Sequence, residues 1–253
     1  MTGGLSLVVT AYNEQEQLPG ALASATTLAA ETLVVIDPRT TDRSRELAAA
    51  AGARVLEHKF ESCGAQCAWG VAAARHDWVF VLDADERIDE PLRASVAATV
   101  AAPSCPAYAV RRANVAFGRR LRFGDWGRDR VVRLFDRRRA TIEGGMHWTV
   151  RAAAVGRLVG VLEHETLRDL ATYLPKVHGY AAAGAAELTA AGRRAGALTA
   201  PVRAVWRFIR AAVLRLGVFD GGAGLIVAGL AAWGTFVKWS LVWQAQNRGN
   251  EGP

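Results

Sequence analysis

Four apolar runs dominate the first hundred residues: LSLVVTA from Leu5, ETLVVID from Glu31, ARVLEH from Ala53 and WVFVLD from Trp78. Between them lie stretches of helical character, from about Gln17 to Ala30, in RSRELAAAAG, and near Gln66 to Ala74. This βαβαβαβ alternation narrows the architecture sharply. The runs are too apolar for a sheet with one wet face, so they read as parallel strands covered by helices on both sides. In such sheets ligands bind beyond the carboxyl ends of the strands. Acids gather there: Glu14 follows the first strand, Asp37 the second, and Asp83 and Asp85 the fourth.

The stretch WVFVLDADE runs a buried strand into three carboxylates that repel one another. Side chains two apart on an extended chain point the same way, so Asp83 and Asp85 can converge on one cation or one polyol. An acidic turn opening the next helix, which Glu90 and Pro91 announce, accounts for the same residues.

With 253 residues, 51% of them hydrophobic, the chain can bury a substantial core, and the expectation is one large domain with an appendage. A net charge of +7 invites polyanions: nucleic acid, anionic lipid or a phosphorylated substrate. Cys63, Cys67 and Cys105 have no paired spacing, which argues against a disulfide framework or a cysteine zinc site and for a reducing compartment. The run Leu5 to Ala11 has no basic segment before it and ends in YNE, so it reads as a strand and not as a signal peptide. The catalytic part is therefore expected in the cytosol.

After the helix opened by Pro91 the texture changes to glycine-broken strand pieces, AYAVRR, RVVRLF, ATIEGG and GRLVGVLEH, which suit mixed or antiparallel pairing. From Arg168 the chain turns helical and alanine-rich. Between Leu188 and Phe219 it carries Arg193, Arg194, Arg203, Arg207, Arg210 and Arg215 and no acid, interleaved with Trp206, Phe208 and Ile209, a mixture suited to an anionic membrane surface. GGAGLIVAGLAAWGTFV, from Gly221, follows without a charge; a nucleic-acid binder has little use for it, whereas Trp233, Trp239 and Trp243 suit a membrane interface. Its glycines and Lys238 weigh against a span, and a buried core helix is the alternative. The expected domains are 1–166 and a helical, membrane-associating 167–253.

TAYNE after the first strand, VVIDPRTTDRS after the second, GAQ near Gln66 and WVFVLDADER together resemble glycosyltransferase family 2, whose fold is GT-A. Downstream, GDWGRDRVVRLF, MHWTV, LEHETLRDLATYLPKVHGYA and LGVFDGGAGL resemble a narrower group, the bacterial transferases similar to lipopolysaccharide-core β-glucosyltransferases. The likeness runs from about Leu5 to Trp243.

The resemblance implies a fold class of α/β, GT-A and Rossmann-like, and roles for particular residues. Asp85 is implied as ligand of Mg2+ or Mn2+, with His164 as a further ligand; oxygen and imidazole donors suit such ions, with water and phosphate completing the shell. Asp83 would face the ribose or the outer shell of the metal. Asp37 matches the acid that contacts uracil or ribose, Tyr12, Asn13 and Glu14 match the first nucleotide-binding loop, and Gln66 matches a position at the nucleotide. Thr41 or Asp42 reads instead as a cap of the following helix. An inverting transferase needs a base for the acceptor hydroxyl. Asp129 is the first choice and Glu143 the second, with Arg133 and His147 toward acceptor or phosphate. The family usually has His-Glu where this chain has His147-Trp148, a departure that puts the base in question.

The expected function is an inverting, metal-dependent transfer of a hexose from a UDP-sugar, UDP-glucose first, to a lipid-linked or cell-surface glycan such as lipopolysaccharide core. The expected location is the cytoplasmic face of a bacterial inner membrane, with no nucleic-acid partner. The competing expectation is a non-catalytic nucleotide-sugar-binding or scaffold protein on the same fold.

Overall fold

The computed structural model describes residues 4–127, 129–146 and 148–248. In chain order the amino-terminal elements are β1 (Leu5–Ala11), α1 (Leu18–Ser24), β2 (Glu31–Ile36), α2 (Ser44–Ala50), β3 (Arg54–Glu57), α3 (Cys63–Ala73), β4 (Trp78–Asp83), β5 (Glu86–Ile88) and α4 (Glu90–Ala101). There follow β6 (Ala107–Ala116), β7 (Arg119–Arg120), β8 (Arg130–Asp136), β9 (Ala140–Glu143), β10 (Thr149–Ala152) and β11 (Val155–Leu167), and then the helices α5 (Leu170–Ala190), α6 (Thr199–Ile209) and α7 (Gly221–Arg248). The four expected strands are present, and β1 and β4 have the expected bounds.

Among the described residues one sheet runs β3-β2-β1-β4-β8-β6-β11-β5, with β7 paired to β6; β9 and β10 form a separate hairpin. The pairs β1–β2, β2–β3 and β1–β4 are parallel, whereas β4–β8, β6–β8 and β5–β11 are antiparallel. The chain leaves β1 toward β2 and β3 and then returns through α3 to β4 on the other side of β1. That reversal between β1 and β4 is the switch point at which open α/β sheets hold ligands.

The period-two alternation of the strands sorts the core. Leu5, Leu7 and Val9 of β1 and Trp78, Phe80 and Leu82 of β4 pack with Leu18, Leu22 and Leu92, whereas Val8, Val79 and Val81 pack with Cys67 and Val71 of α3. Both faces are covered, which is why these strands read as continuous apolar runs. Side chains cap the starts of α3 and α4: Ser62 accepts from the Ala65 N–H at 3.1 Å, and Asp89 from the Leu92 N–H at 2.9 Å. The first helix stops at Ser24, short of the expected Ala30, and Thr27 just beyond it takes a φ of +64° that ends the helical path.

Residues 1–112 with 129–164 form one compact unit and residues 113–128 with 165–253 another. The sequence placed 113–128 with the transferase domain. In the second unit the Asp220 carboxylate accepts the Arg122 and Phe123 N–H groups at 2.9 to 3.1 Å, which ties that segment to the turn before α7. Within this unit the arginines are not presented to a headgroup layer as a set. Arg207, Arg210 and Arg215 gather on the Asp125 carboxylate at 2.9, 3.4 and 2.6 Å, the last a close ion pair without hydrogen-bond alignment. Arg203 lies over the Trp239 ring, 4.3 Å from its centroid. Trp239 is thereby buried, against the expectation of an interfacial ring, while Trp233 and Trp243 are exposed. Lys238 is half-buried, with its stem 3.0 Å from the place a Cβ on Gly184 of α5 would take.

Close approach of α3 to the sheet depends on Gly70, where a Cβ would lie 2.7 Å from the Val8 and Val35 methyl groups. Gly70→Val should lower the unfolding free energy by about 1–3 kcal/mol through overpacking, measured as a shift of the urea midpoint with an unchanged slope.

Candidate functional site

The carboxyl rim of the parallel strands is built by register. Thr10 of β1 pairs with Asp83 and Ala11 with Ile36, so the loops carrying Tyr12, Asp37 and Asp83 leave the sheet at one level. Asn13, at φ +53°, turns the first loop and accepts the Thr41 N–H at 2.9 Å. The Glu14 N–H donates to Ser44 Oγ at 2.8 Å, and Asp42 accepts the Gln15 and Ser44 N–H groups at 2.8 and 2.9 Å. Asn13 and Asp42 thus lock the first loop to the second; the helix after them is capped by neither Thr41 nor Asp42, since its N-cap is Arg43, so the part of Asp42 is structural but is not the cap expected.

Asp37 is 1% exposed, and its carboxylate is saturated. Oδ1 accepts the backbone N–H of Arg39 at 2.8 Å and its Nε at 2.9 Å, while Oδ2 accepts Arg39 Nη2 at 2.7 Å and the Phe60 N–H at 3.0 Å. Four donors fill the lone-pair sites of one carboxylate. The group that reaches solvent is instead Arg39, 63% exposed and 5.7 Å from the centroid of the half-exposed Tyr12 ring. Asp37 therefore orients Arg39, which corrects the expectation of a direct uracil or ribose contact. Gln66 is likewise occupied and buried: its Nε2 donates to the His58 carbonyl at 3.0 Å and its Oε1 lies 2.8 Å from His58 Nδ1. Neighbouring Cys67 is a core residue, its thiol pushed up by burial and then by Asp83.

The acids of the fourth strand separate. Asp83 ends β4 and bonds Arg133 Nη2, whereas Asp85 lies in the turn beyond and meets His164 Nε2 at 3.2 Å. The antiparallel pairing of β5 with β11, which sets His164 opposite Glu86, delivers the histidine across 79 residues of sequence. The two expected metal ligands are thus neighbours. Burial opposes protonation of His164, but the hydrogen bond and charge of Asp85 outweigh it and raise the pKa. Among the described residues no group of three or more His, Cys, Asp or Glu is arranged to hold a metal ion. A carboxylate oxygen and an imidazole nitrogen nonetheless fit Mg2+ or Mn2+ when substrate phosphate and water supply the other positions.

Behind this pair lies a buried ionic network. Glu86, fully buried, accepts the Asp83 N–H at 3.1 Å and Arg133 Nη2 at 2.6 Å, with Arg112 Nη1 at 3.6 Å. Arg112 also holds Oδ2 of Asp129, at 2.7 Å from Nε and 2.6 Å from Nη2. Trp148 covers the Arg133 guanidinium, whose carbon is 5.2 Å from the ring centroid. Burial pushes the Glu86 carboxyl up, against the pull of Arg133; burial also works against the Arg133 charge, yet Asp83 and Glu86 hold that guanidinium firmly protonated. If all are charged, the three acids outweigh the two arginines by one. Arg133, expected to meet acceptor or phosphate, is 3% exposed and bound inside, so its part is to position Asp83. Glu143, the second candidate base, stands apart in an exposed ion pair with Arg151 at 2.8 Å. His147 lies outside the described residues. Arg39, Glu86 and Arg112 did not emerge from the sequence; the one available signal was charge inside or beside apolar strands.

Comparison with known proteins decides the family. The model of the family described as "Glycosyl transferase family 2" matches residues 6–151, more than half of the chain. The chain belongs to that family. Its mixed α/β, Rossmann-like sheet is accordingly the GT-A fold. The chain is 38% identical over 85 residues to a TPR repeat-containing protein of Synechococcus elongatus, which covers 33% of this chain and 21% of that one. Among solved structures, it is similar to glucosyl-3-phosphoglycerate synthase from Mycobacterium tuberculosis in complex with Mn2+, UDP and phosphoglyceric acid. There the identity is 20%, the TM-score 0.38, and the cover 44% of this chain and 43% of that one. S. aureus TarS 1-349 matches at 18% identity and a TM-score of 0.38, over 44% of this chain and 36% of that one. The chain thus spans about a fifth of that relative and about two fifths of those structures.

Two outcomes follow from the site. Glu86→Ala leaves Arg133 buried with one partner fewer and should cost about 3–5 kcal/mol in chemical denaturation. The side-chain hydrogen bond of Arg39 to Asp37 holds that carboxyl well below the usual carboxylate range. With the folded pKa depressed, the stabilisation is whole above the unfolded value of about 4 and is lost as pH falls below it toward the folded value. Asp37→Asn should therefore be less stable than the native chain at neutral pH and show a flatter loss of stability in acid, compared by urea melts at several pH values.

Proposed function

We propose that this family 2 member is an inverting, metal-dependent glycosyltransferase that moves a hexose from a UDP-sugar, UDP-glucose first among them, to a lipid-linked or cell-surface glycan acceptor such as lipopolysaccharide core. It works at the cytoplasmic face of a bacterial inner membrane, to which its C-terminal unit binds. The observation that carries the donor half of this reading is the meeting of Asp85 and His164 at the carboxyl rim, beside the strand-order reversal. Asp85 and His164 would hold a divalent ion, which when bound would supply positive charge toward a leaving diphosphate. Asp83, fixed by Arg133, keeps a second carboxylate on the sugar side of that turn. Tyr12, with Arg39 over it, and the loop of Asn13 and Glu14 hold the nucleotide. For the proton of the acceptor hydroxyl we choose Asp129 over Glu143. Arg112 grips its Oδ2 and holds the carboxylate in place, whereas Glu143 belongs to a solvent-facing pair.

Calorimetric titration with UDP, with and without Mn2+, tests the donor site. The native chain should bind UDP in a Mn2+-dependent manner, and Asp85→Ala and His164→Ala should each weaken that binding at least tenfold, roughly the scale of a lost metal contact. Binding that ignores both the metal and the substitutions would overturn the assignment.

A further inference from the structure

The membrane-binding unit displays an inverted amphipathic helix. In α6, Val202, Val205, Trp206 and Ile209 recur at the spacing of one helical stripe and are 39–61% exposed, and Val213, in the wider turn that follows, and Leu216 just after it are exposed as well. A soluble protein would place such a stripe against its core. Here the side facing the rest of the unit is instead small or charged. Ala200, Ala211 and Ala212 are buried, and Arg207, Arg210 and Arg215 are drawn to Asp125. The stripe therefore carries no charge of its own, so its complement is apolar, which excludes a nucleic acid or a headgroup layer as its principal contact.

A second feature of the same unit supports lipid as that complement. Residues Gly217–Asn247 form a helical stretch long enough to cross a membrane, with a mean hydropathy of 1.6 in its most apolar window, and only 22% of that window is buried. A core helix of a soluble protein would be mostly buried. Exposed Leu225, Ile226, Trp233, Phe236 and Trp243 of α7 add apolar and interfacial surface to the unit that carries the α6 stripe.

We infer that α6 lies in the membrane plane with this stripe sunk into the acyl boundary of the bilayer, so that the unit is held by hydrophobic insertion and not by its arginines. The inference rests on the membrane reading above and specifies how the contact is made. The arginine cluster on Asp125 keeps the helix in this orientation.

The test is flotation of the full chain, handled in mild detergent and diluted into vesicles of phosphatidylcholine alone or mixed with phosphatidylglycerol. It is run at low salt and at about 1 M salt, where the screening length falls to about 3 Å. Insertion predicts flotation with both vesicle types at both salt levels. The exposed double substitution Val205→Glu with Ile209→Glu should reduce vesicle partition by roughly tenfold or more, with an unchanged helical circular-dichroism signal and thermal melt as proof of folding. Flotation confined to anionic vesicles and abolished by salt would leave the membrane reading standing and overturn insertion. No flotation with either vesicle overturns both. A salt-resistant dimer in the absence of lipid that the double substitution dissociates would assign the stripe to a second copy of the chain and also overturn the proposal.

Discussion

Arg133 is a guanidinium with almost no access to water, held by Asp83 and Glu86 and covered by Trp148. Burying this charge is costly unless every partner is in place, and removal of one partner costs more than the pair ever contributes. The carboxyl rim depends on that condition. Glu86 accepts the backbone N–H of Asp83, so the acid that balances Arg133 also sets the turn from which Asp85 projects. Arg112 extends the network to Asp129. One buried cation therefore links the end of β4, the short strand after it and the candidate base, and the acids of WVFVLDADE divide between structure and chemistry.

This division explains what the sequence shows and what it hides. The strands are legible because burial on both faces demands unbroken apolar runs, and their ends are legible because acids stop them. Likeness to a family singles out Asp85 and His164, and the sheet brings them together by a pairing that periodicity does not reveal. Arg39 and Glu86 were hidden for opposite reasons. The grip of Arg39 on Asp37 is local, two residues apart, but its effect, a saturated carboxylate, also needs the N–H of Phe60 from beyond β3. Glu86 looks like one more surface acid until β5 is seen to be a sheet strand in its own right.

The C-terminal unit shows the same limit on a larger scale. Amphipathic composition is readable in α6, but which side meets protein is decided by Asp125, a single acid far away in sequence. With that acid in place, arginines that composition alone assigns to a lipid surface become internal partners, and the apolar stripe is left as the outer face. Lys238 and Trp239 follow the same logic, since each breaks the apolar pattern of α7 on a side where another residue of the unit receives it.

The three-residue pairing between β5 and β11 has a consequence in time. Asp85 is made early, yet its partner arrives 79 residues later. On the ribosome, domains fold as they emerge, and contacts of long sequence separation form late because loop closure must come first. A nascent chain that has already built the parallel strands, the switch point and the loops around Tyr12 and Asp37 still lacks the histidine that meets Asp85. The Asp85–His164 contact is thereby deferred until the last strand of the sheet is threaded beside β5, and a chain released before residue 164 carries the rim of the parallel strands without it.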